Sequence, residues 1–289
     1  MQQNELKVSV VIPAKNEALN LVNLLPKLKQ VKGLLECIVV DDGSSDNTIE
    51  VCEQHRVTVI SSPYSKGNGA AIKAGAKAAA GEIIVFLDGD GQHKPEDIER
   101  LLLELDKGYD MVVGARKRGS QADSYRAFGN GFYNQVASWM TGHKVKDLTS
   151  GFRAVKADKF REFLYLLPNG FSYPTTCTMA FFRSGYSVGY IPIETEKRLG
   201  SSHISLVKDG VRFLIIIFKV GTLYSPLKIF FPVSSAFFVT GIFYYLYTYI
   251  TSGRFTNMGA VLFMTSILVI LIGLVSEQVT ALMYKDGQG

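Results

Sequence analysis

Cysteine is scarce in this chain: Cys37, Cys52 and Cys177 are the only three in 289 residues, odd in number and far apart. That spacing fits neither a disulfide framework nor the paired ligands of a zinc site, and it reads as reduced, cytosol-facing thiols. A basic block is also missing. The 31 Lys and Arg against 26 Asp and Glu leave a net charge of +5, scattered through the soluble part, so nucleic acid is not an expected partner. The opening residues, MQQNELKVSVVIPAKNE, lack a basic segment followed by an apolar stretch and a small-residue cleavage site, so the N-terminal domain is expected to stay in the cytosol. In SKGNGAAIKAG, Ile72 stands where G-x-G-x-x-G requires its third glycine, and no G-K-S or G-K-T phosphate loop occurs. These absences argue against a dehydrogenase and a P-loop enzyme.

What is present is apolar. A hydrophobic content of 47% in this length suits one sizeable soluble domain with a membrane appendage. Between residues 7 and 113, the β-branched runs KVSVVIP, ECIVVDD, VTVISS, EIIVFLD and DMVVG alternate with amphipathic segments, a doubly wound α/β layout with a mostly parallel sheet. Ligands of such sheets bind where the loops at the carboxyl ends of the strands face a common crevice. From residue 116 to about 146 the alternation stops. A polar segment there leads into a helical stretch around 132–140 and reads as an inserted loop over the crevice. A weaker pattern resumes at TSGFRAVKAD and runs through SVGYIPIET, which closes the soluble domain near residue 205.

The remainder changes character. Residues 206–226 carry Lys208, Asp209, Arg212 and Lys219 mostly on one side of an otherwise apolar helix, as in a basic interfacial helix. Residues 227–289 hold two spans, about 229–250 and 258–282, each long enough at roughly 20 residues to cross a bilayer core of about 30 Å. A buried hairpin inside a larger soluble core is the competing reading. Cationic residues flank the hairpin's two ends while its loop has only Arg254, so both termini and the catalytic domain are expected in the cytosol. The glycines Gly241, Gly259 and Gly273 offer faces for a possible homo-oligomer.

Two motifs carry chemistry. IVFLDGDGQH ends an apolar strand in Asp88-Gly89-Asp90, with Gln92 and His93 just beyond. Two carboxylates one residue apart can face one hard cation, Mg²⁺ or Mn²⁺, which can also bind a diphosphate; a solvated acidic turn is the alternative. VVDDGSSDNT ends another strand in Asp41 and Asp42, whose oxygens can accept from a base or ribose, while Ser45 or Asp46 caps the next helix. Gly67 and Gly69 read either as a close turn near a donor or as an ordinary loop.

The ordered set VSVVIPAKNE, VVDDGSSDNT, KGNGAAIKAG, DGDGQH, VVGAR and DLTSGFRA resembles the family-2 glycosyltransferases of the GT-A fold, over residues 8–205. With the two spans, the whole chain resembles polyprenyl-phosphate glycosyltransferases of the dolichol-phosphate mannose synthase type. The resemblance implies a nucleotide-diphosphate sugar lined by Pro13, Ala14, Glu17, Asp41, Asp42, Lys66 and Arg198. It implies metal and diphosphate held by Asp88, Asp90 and Gln92, and a lipid phosphate met by Arg116, Arg126 and Asn130. His203 stands where such enzymes often carry Lys, and Lys15 where an aromatic is usual. Asp147, just before TSGFR, orients the acceptor, acts as a base or caps a turn.

The chemistry of these residues also supports a phosphate acceptor. A phosphomonoester has a second pKa of about 6, so near neutral pH it is largely a dianion and needs no strong general base. Arginines suit the remaining task, which is to screen its repulsion from the donor diphosphate. The expected reaction is inverting transfer of a hexose from a GDP-mannose or UDP-glucose type donor to dolichyl or undecaprenyl phosphate. A processive polysaccharide synthase fits less well, because Trp139 sits in QVASW with Ser138 in place of the arginine of Q-x-x-R-W. A non-catalytic nucleotide-sugar-binding membrane subunit would be expected to lose Asp88 or Asp90, and both are present.

Overall fold

The computed structural model describes residues 7–116, 124–170, 172–195, 215, 218–219 and 221–285, with the backbone alone for 124–130 and 285. The chain divides into two compact units, residues 1–204 and 205–289.

In the first unit, seven strands form one sheet: β1 (Val8–Ala14), β2 (Leu34–Asp41), β3 (Thr58–Ser61), β4 (Ile83–Phe86), β5 (Met111–Arg116), β6 (Arg153–Lys156) and β7 (Val188–Ile193). Their order is β3-β2-β1-β4-β6-β5-β7. All neighbours are parallel except β6, which runs antiparallel to both β4 and β5. The sheet is thus mostly parallel, as expected, but the strand within TSGFRAVKAD is short and inverted. It begins at Arg153 and yields at residue 157 to a helix.

The central parallel strands β1 and β4, with β5, are almost wholly buried, as β-branched runs are when helices cover both faces, while β3 at the sheet edge is half-buried to exposed. Helix α1 (Ala18–Leu28) places Leu21, Leu24, Leu25 and Leu28 on the core side at a helical period. Helix α3 (Asn68–Ala78) approaches the sheet so closely at Gly75 that a Cβ there would lie 3.1 Å from a Val40 methyl and closer still to Val11. Helix α5 (Ser124–Thr141) extends the expected helical stretch at its N-terminal side. Helices α2 (Thr48–Gln54), α4 (Asp97–Leu105), α6 (Ala157–Arg161) and α7 (Tyr173–Arg183) complete this unit.

The second unit is a hairpin of α8 (Pro226–Ser252) and α9 (Asn257–Lys285). Both helices are long and apolar enough to cross a membrane, and only 11% and 17% of their most apolar stretches are buried. That exposure disposes of the hairpin as a soluble core. Ser234 and Ser266 exchange hydrogen bonds, each hydroxyl donating 2.9 Å to the other's backbone carbonyl. Gly241 lies against Phe263 and Gly273 against Phe230, and Gly259 packs on Phe255. These glycines therefore serve contacts inside the hairpin. The expected interfacial helix falls mostly outside the described residues.

Candidate active site

Three strand ends build the crevice. Ala14 at the end of β1 is in register with Asp41 at the end of β2, and the Asp42 N–H donates to the Ala14 carbonyl at 2.9 Å. On the other side the Leu87 N–H donates to the Val11 carbonyl, so Asp88, Gly89 and Asp90 run out beside Pro13 and Ala14. A Cβ on Gly89 would stand 3.3 Å from the Pro13 carbonyl oxygen and 3.6 Å from the Ala14 Cβ, so this residue lets the acidic loop lie against β1.

The β2 side is a set of loops tied by carboxylates. Asp41, 1% exposed, accepts from the Ser44 N–H and the Ser61 hydroxyl, both at 3.0 Å. Asp42 accepts from the Ser65 hydroxyl (2.6 Å), the Lys66 N–H (2.6 Å) and the Gly67 N–H (2.9 Å). Burial alone would raise the Asp42 pKa, but these three bonds outweigh it and hold the carboxyl below the usual range. Lys66 thus contributes its backbone to Asp42, while its ammonium sits 5.5 Å from the Tyr64 ring centre. Glu17 donates its N–H to Thr48 at 3.1 Å, and its carboxylate accepts from Asn20 at 2.6 Å. Asp46 accepts from the Thr48 N–H at the start of α2 and from the Ala18 N–H, while the cap position itself falls to Asn47, which makes no side-chain cap bond, rather than to Ser45 or Asp46 as expected.

Asn16 was not foreseen. With φ of 56° it turns the chain after β1, donates its N–H to the Ser44 hydroxyl (2.9 Å) and accepts the Ser45 N–H (2.8 Å). Its signal was legible in hindsight: Asn tolerates the left-handed region better than other residues with a Cβ. Gly67 and Gly69 pack on the backbone of residues 168–170. A Cβ on Gly67 would come 2.6 Å from the Asn169 carbonyl oxygen, and the N–H groups of Gly69 and Ala70 donate to the carbonyls of Gly170 and Asn169. The start of α3 thus packs on the 168–170 backbone through both glycines.

On the other side of the crevice, Asp88 is 33% exposed at its side chain, and its carboxylate lies over Gly151, where a Cβ would come within 2.7 Å of Oδ2. His93 Nε2 is 3.8 Å from the same oxygen, and the ring stacks on Phe152 with centroids 5.0 Å apart. Burial pushes the His93 pKa down to about 4 despite the nearby Asp90, so the imidazole is neutral at physiological pH and the contact is not an ion pair. Asp90 accepts the Gln92 N–H at 3.1 Å.

Arg116 ends β5, and Asp147 grips it through both oxygens: Nε to Oδ2 at 2.8 Å and Nη2 to Oδ1 at 3.0 Å. Nη2 also donates to the Thr149 hydroxyl at 2.6 Å. Asp147 Oδ1 accepts the N–H groups of Thr149 and Ser150 at 3.2 Å, so the same carboxylate caps its own turn. Burial opposes its ionisation, but the Arg116 hydrogen bond and charge outweigh this and lower its pKa; Arg116 is raised in return. A carboxylate so held orients an arginine more readily than it takes a proton. Asp88 also adds to the field on Arg116, and Asp90, Arg116 and Asp147 all act on His93, so these residues form one electrostatic cluster.

The donor set fits a divalent cation. Asp88 and Asp90 supply hard oxygen donors at the crevice, and Gly151 leaves room for one carboxylate where a side chain would fill it. Among the described residues no third His, Cys, Asp or Glu joins them. Two carboxylates suit a cation that completes its shell with substrate phosphates and water. Arg198 and His203 lie outside the described residues, as do the side chains of Arg126 and Asn130 on α5.

Residues 9–164 match the family described as Glycosyl transferase family 2, and residues 225–282 match the GtrB C-terminal hairpin. The chain is 37% identical over 160 residues to the undecaprenyl-phosphate 4-deoxy-4-formamido-L-arabinose transferase of Proteus mirabilis. That alignment covers 52% of this chain and 49% of the relative, so the chain spans about half the length of that protein. It is 29% identical over 212 residues to the polyprenol monophosphomannose synthase of Mycolicibacterium smegmatis, covering 68% of this chain and 80% of the other. The glucosyl-3-phosphoglycerate synthase of Mycobacterium tuberculosis, solved with Mn²⁺, UDP and glucosyl-3-phosphoglycerate, superposes with a TM-score of 0.60. Its identity is 19%, with 75% of this chain and 79% of that one covered, a likeness of fold alone. The motifs, the mixed sheet with its acidic crevice and the apolar hairpin converge, and the chain belongs to the family 2 glycosyltransferases, with a GT-A domain followed by a GtrB-type hairpin.

Proposed function

We propose that this protein transfers a hexose from a nucleotide-diphosphate sugar, of the GDP-mannose or UDP-glucose type, to a polyprenyl phosphate at the cytosolic face of a membrane. The observation that carries it is the pairing of an acidic crevice, Asp88 and Asp90, with an arginine, Arg116, clamped beside it by Asp147. Relatives named for undecaprenyl-phosphate and polyprenol substrates support the acceptor class. Residues 1–205 form the catalytic domain, 206–226 an interfacial helix and 227–289 the two spans, with both termini in the cytosol.

In this reading Pro13, Ala14 and Glu17 border the nucleotide, and Asp41 and Asp42 shape its pocket through the loops they tie. Lys66 and Arg198 stand on the donor side. Asp88, Asp90 and Gln92 would hold Mg²⁺ or Mn²⁺, and the ion would supply positive charge to balance that of a departing diphosphate. Arg116, Arg126, Asn130 and His203 receive the acceptor phosphate. Its oxygen attacks the anomeric carbon from the face opposite the leaving group, the C–O bond to the nucleoside diphosphate breaks, and the configuration inverts. The acceptor is a dianion near neutral pH, so no proton need be removed and Asp147 serves to orient Arg116.

The test is a screen of nucleotide sugars against one short polyprenyl phosphate with the full-length protein, followed by mass measurement of the lipid product. One added hexose, lost in Asp88→Ala and Asp90→Ala variants that still fold, is the expected result. A polymer, or full activity in either variant or in excess chelator, refutes it.

A further inference from the structure

Among the described residues, the largest fully buried side chain belongs to a cation. Arg153 is 0% exposed, yet among those residues its guanidinium reaches no carboxylate: it donates to the Ser150 carbonyl, to the Pro174 carbonyl at 3.1 Å and to the Thr178 hydroxyl at 3.1 Å, with Met111 Sδ at 3.7 Å. A charge withdrawn from water in this way is costly, its hydrogen bonds offset that cost only in part, and a well-packed apolar residue would avoid it. Its place in the sheet indicates what it does there. As the first residue of β6, Arg153 is opposite Phe86, two residues before Asp88, and opposite Val113, three residues before Arg116.

The segment that Arg153 holds is the one that touches both halves of the site. Asp147 and Thr149 grip Arg116, and Gly151 forms the surface beneath the Asp88 carboxylate. Between them, the Ser150 carbonyl is held by Arg153 and the Gly151 carbonyl by the Tyr173 hydroxyl at 3.0 Å. Tyr173 is itself buried, with its ring centre 5.8 Å from the Arg153 guanidinium carbon.

We propose that Arg153, with Tyr173, is a positioning residue that fixes the 147–151 turn so that Asp88 and Arg116 are presented together, one to the donor's metal and the other to the acceptor phosphate. The inference rests on the reading that Asp88 and Asp90 hold a divalent cation. Both side chains are buried, and in the turn Arg153 pins the Ser150 carbonyl and Tyr173 the Gly151 carbonyl.

The experiment is Mn²⁺ titration of the full-length protein, without substrates, followed by the electron paramagnetic resonance of the free ion, with thermal unfolding recorded alongside. Arg153→Met removes every donor at similar bulk, and Tyr173→Phe removes the Gly151 bond alone. Both are expected to bind Mn²⁺ about 10- to 100-fold more weakly than wild type, as loss of groups that orient metal ligands does elsewhere. Tyr173→Phe should melt near the wild-type temperature and decides the matter if Arg153→Met fails to fold. Wild-type Mn²⁺ affinity in a folded Tyr173→Phe or Arg153→Met protein overturns the proposal. If Asp88→Ala binds Mn²⁺ as wild type does, the metal reading fails instead, and the proposal with it.

Discussion

Replacing Asp147 by asparagine separates the two roles the residue could have. The substitution keeps the shape and one carbonyl oxygen, so the turn at Thr149 and Ser150 can still be capped, but it removes the countercharge of Arg116. Asp147 is 5% exposed at its side chain and Arg116 25%, so the pair is largely shielded from water. Breaking a buried pair by removing one partner costs about 3–5 kcal/mol, because the other charge is left uncompensated. The retained carbonyl and the partial exposure of Arg116 bring the expectation to about 2–3 kcal/mol. In a domain of this size that lowers the melting temperature by roughly 4–12 °C. Activity should fall through the acceptor. An arginine released from a two-pronged grip loses a charge-assisted contact of about 1.5–3 kcal/mol, or on the order of 10- to 100-fold in KM for the lipid phosphate, with the KM for nucleotide sugar little changed.

The Asp147 pKa is lowered in the folded protein, so its stabilisation is fully present above the unfolded value of about 3.9 and is lost as pH falls through the folded value. Any acid limb in kcat/KM should therefore lie near 6, where the acceptor phosphate takes up its proton, and should persist in Asp147→Asn. A variant that melts like wild type, keeps its acceptor KM and loses kcat by on the order of a thousandfold would make Asp147 a general base and refute this reasoning.

Other substitutions probe neighbouring contacts. Gly151→Ala would thrust a methyl group to within 2.7 Å of the Asp88 carboxylate, and should weaken Mn²⁺ binding while the protein still folds, as read by titration. Gly69→Ala meets backbone on the facing loop, which cannot swing away, and is expected to destabilise the catalytic domain by about 1–3 kcal/mol in denaturant unfolding. Ser234→Ala with Ser266→Ala removes the exchanged hydrogen bonds of the hairpin; membrane pairs of this kind average about 0.6 kcal/mol, so a small loss in detergent melting and unchanged turnover are expected.

Much of the fold was legible because its signals are local. VSVVIP, CIVVD and IIVF are β-branched runs bounded by turns, and their burial on both faces makes them parallel strands whichever helices cover them. The inversion of β6 was not legible. RAVK is four residues long, and nothing in its composition says which way it enters a sheet; pairing with β4 and β5 decides that. The same limit applies to Asp41 and Asp42. Two acids at a strand end announce a polar crevice, yet only the folded chain brings Ser61 to one and Ser65, Lys66 and Gly67 to the other, so that both carboxylates also tie the loops around it.

Arg153 shows why a site can be half visible. Charged residues at strand ends beside glycine read as ligands, because the alternation of the strand points them outward and water would otherwise claim them. An arginine that starts an inverted central strand has the opposite fate. It is flanked by Phe86 and Val113 across the sheet, and its guanidinium meets the carbonyl of residue 150, three places back, together with that of residue 174, 21 places on. The consequence is physical rather than incidental: because β6 runs backwards between β4 and β5, its entry turn passes the carboxyl ends of both. One turn can therefore carry Gly151 to the Asp88 loop and Asp147 to Arg116, and a fully parallel sheet would have placed that turn at the far edge.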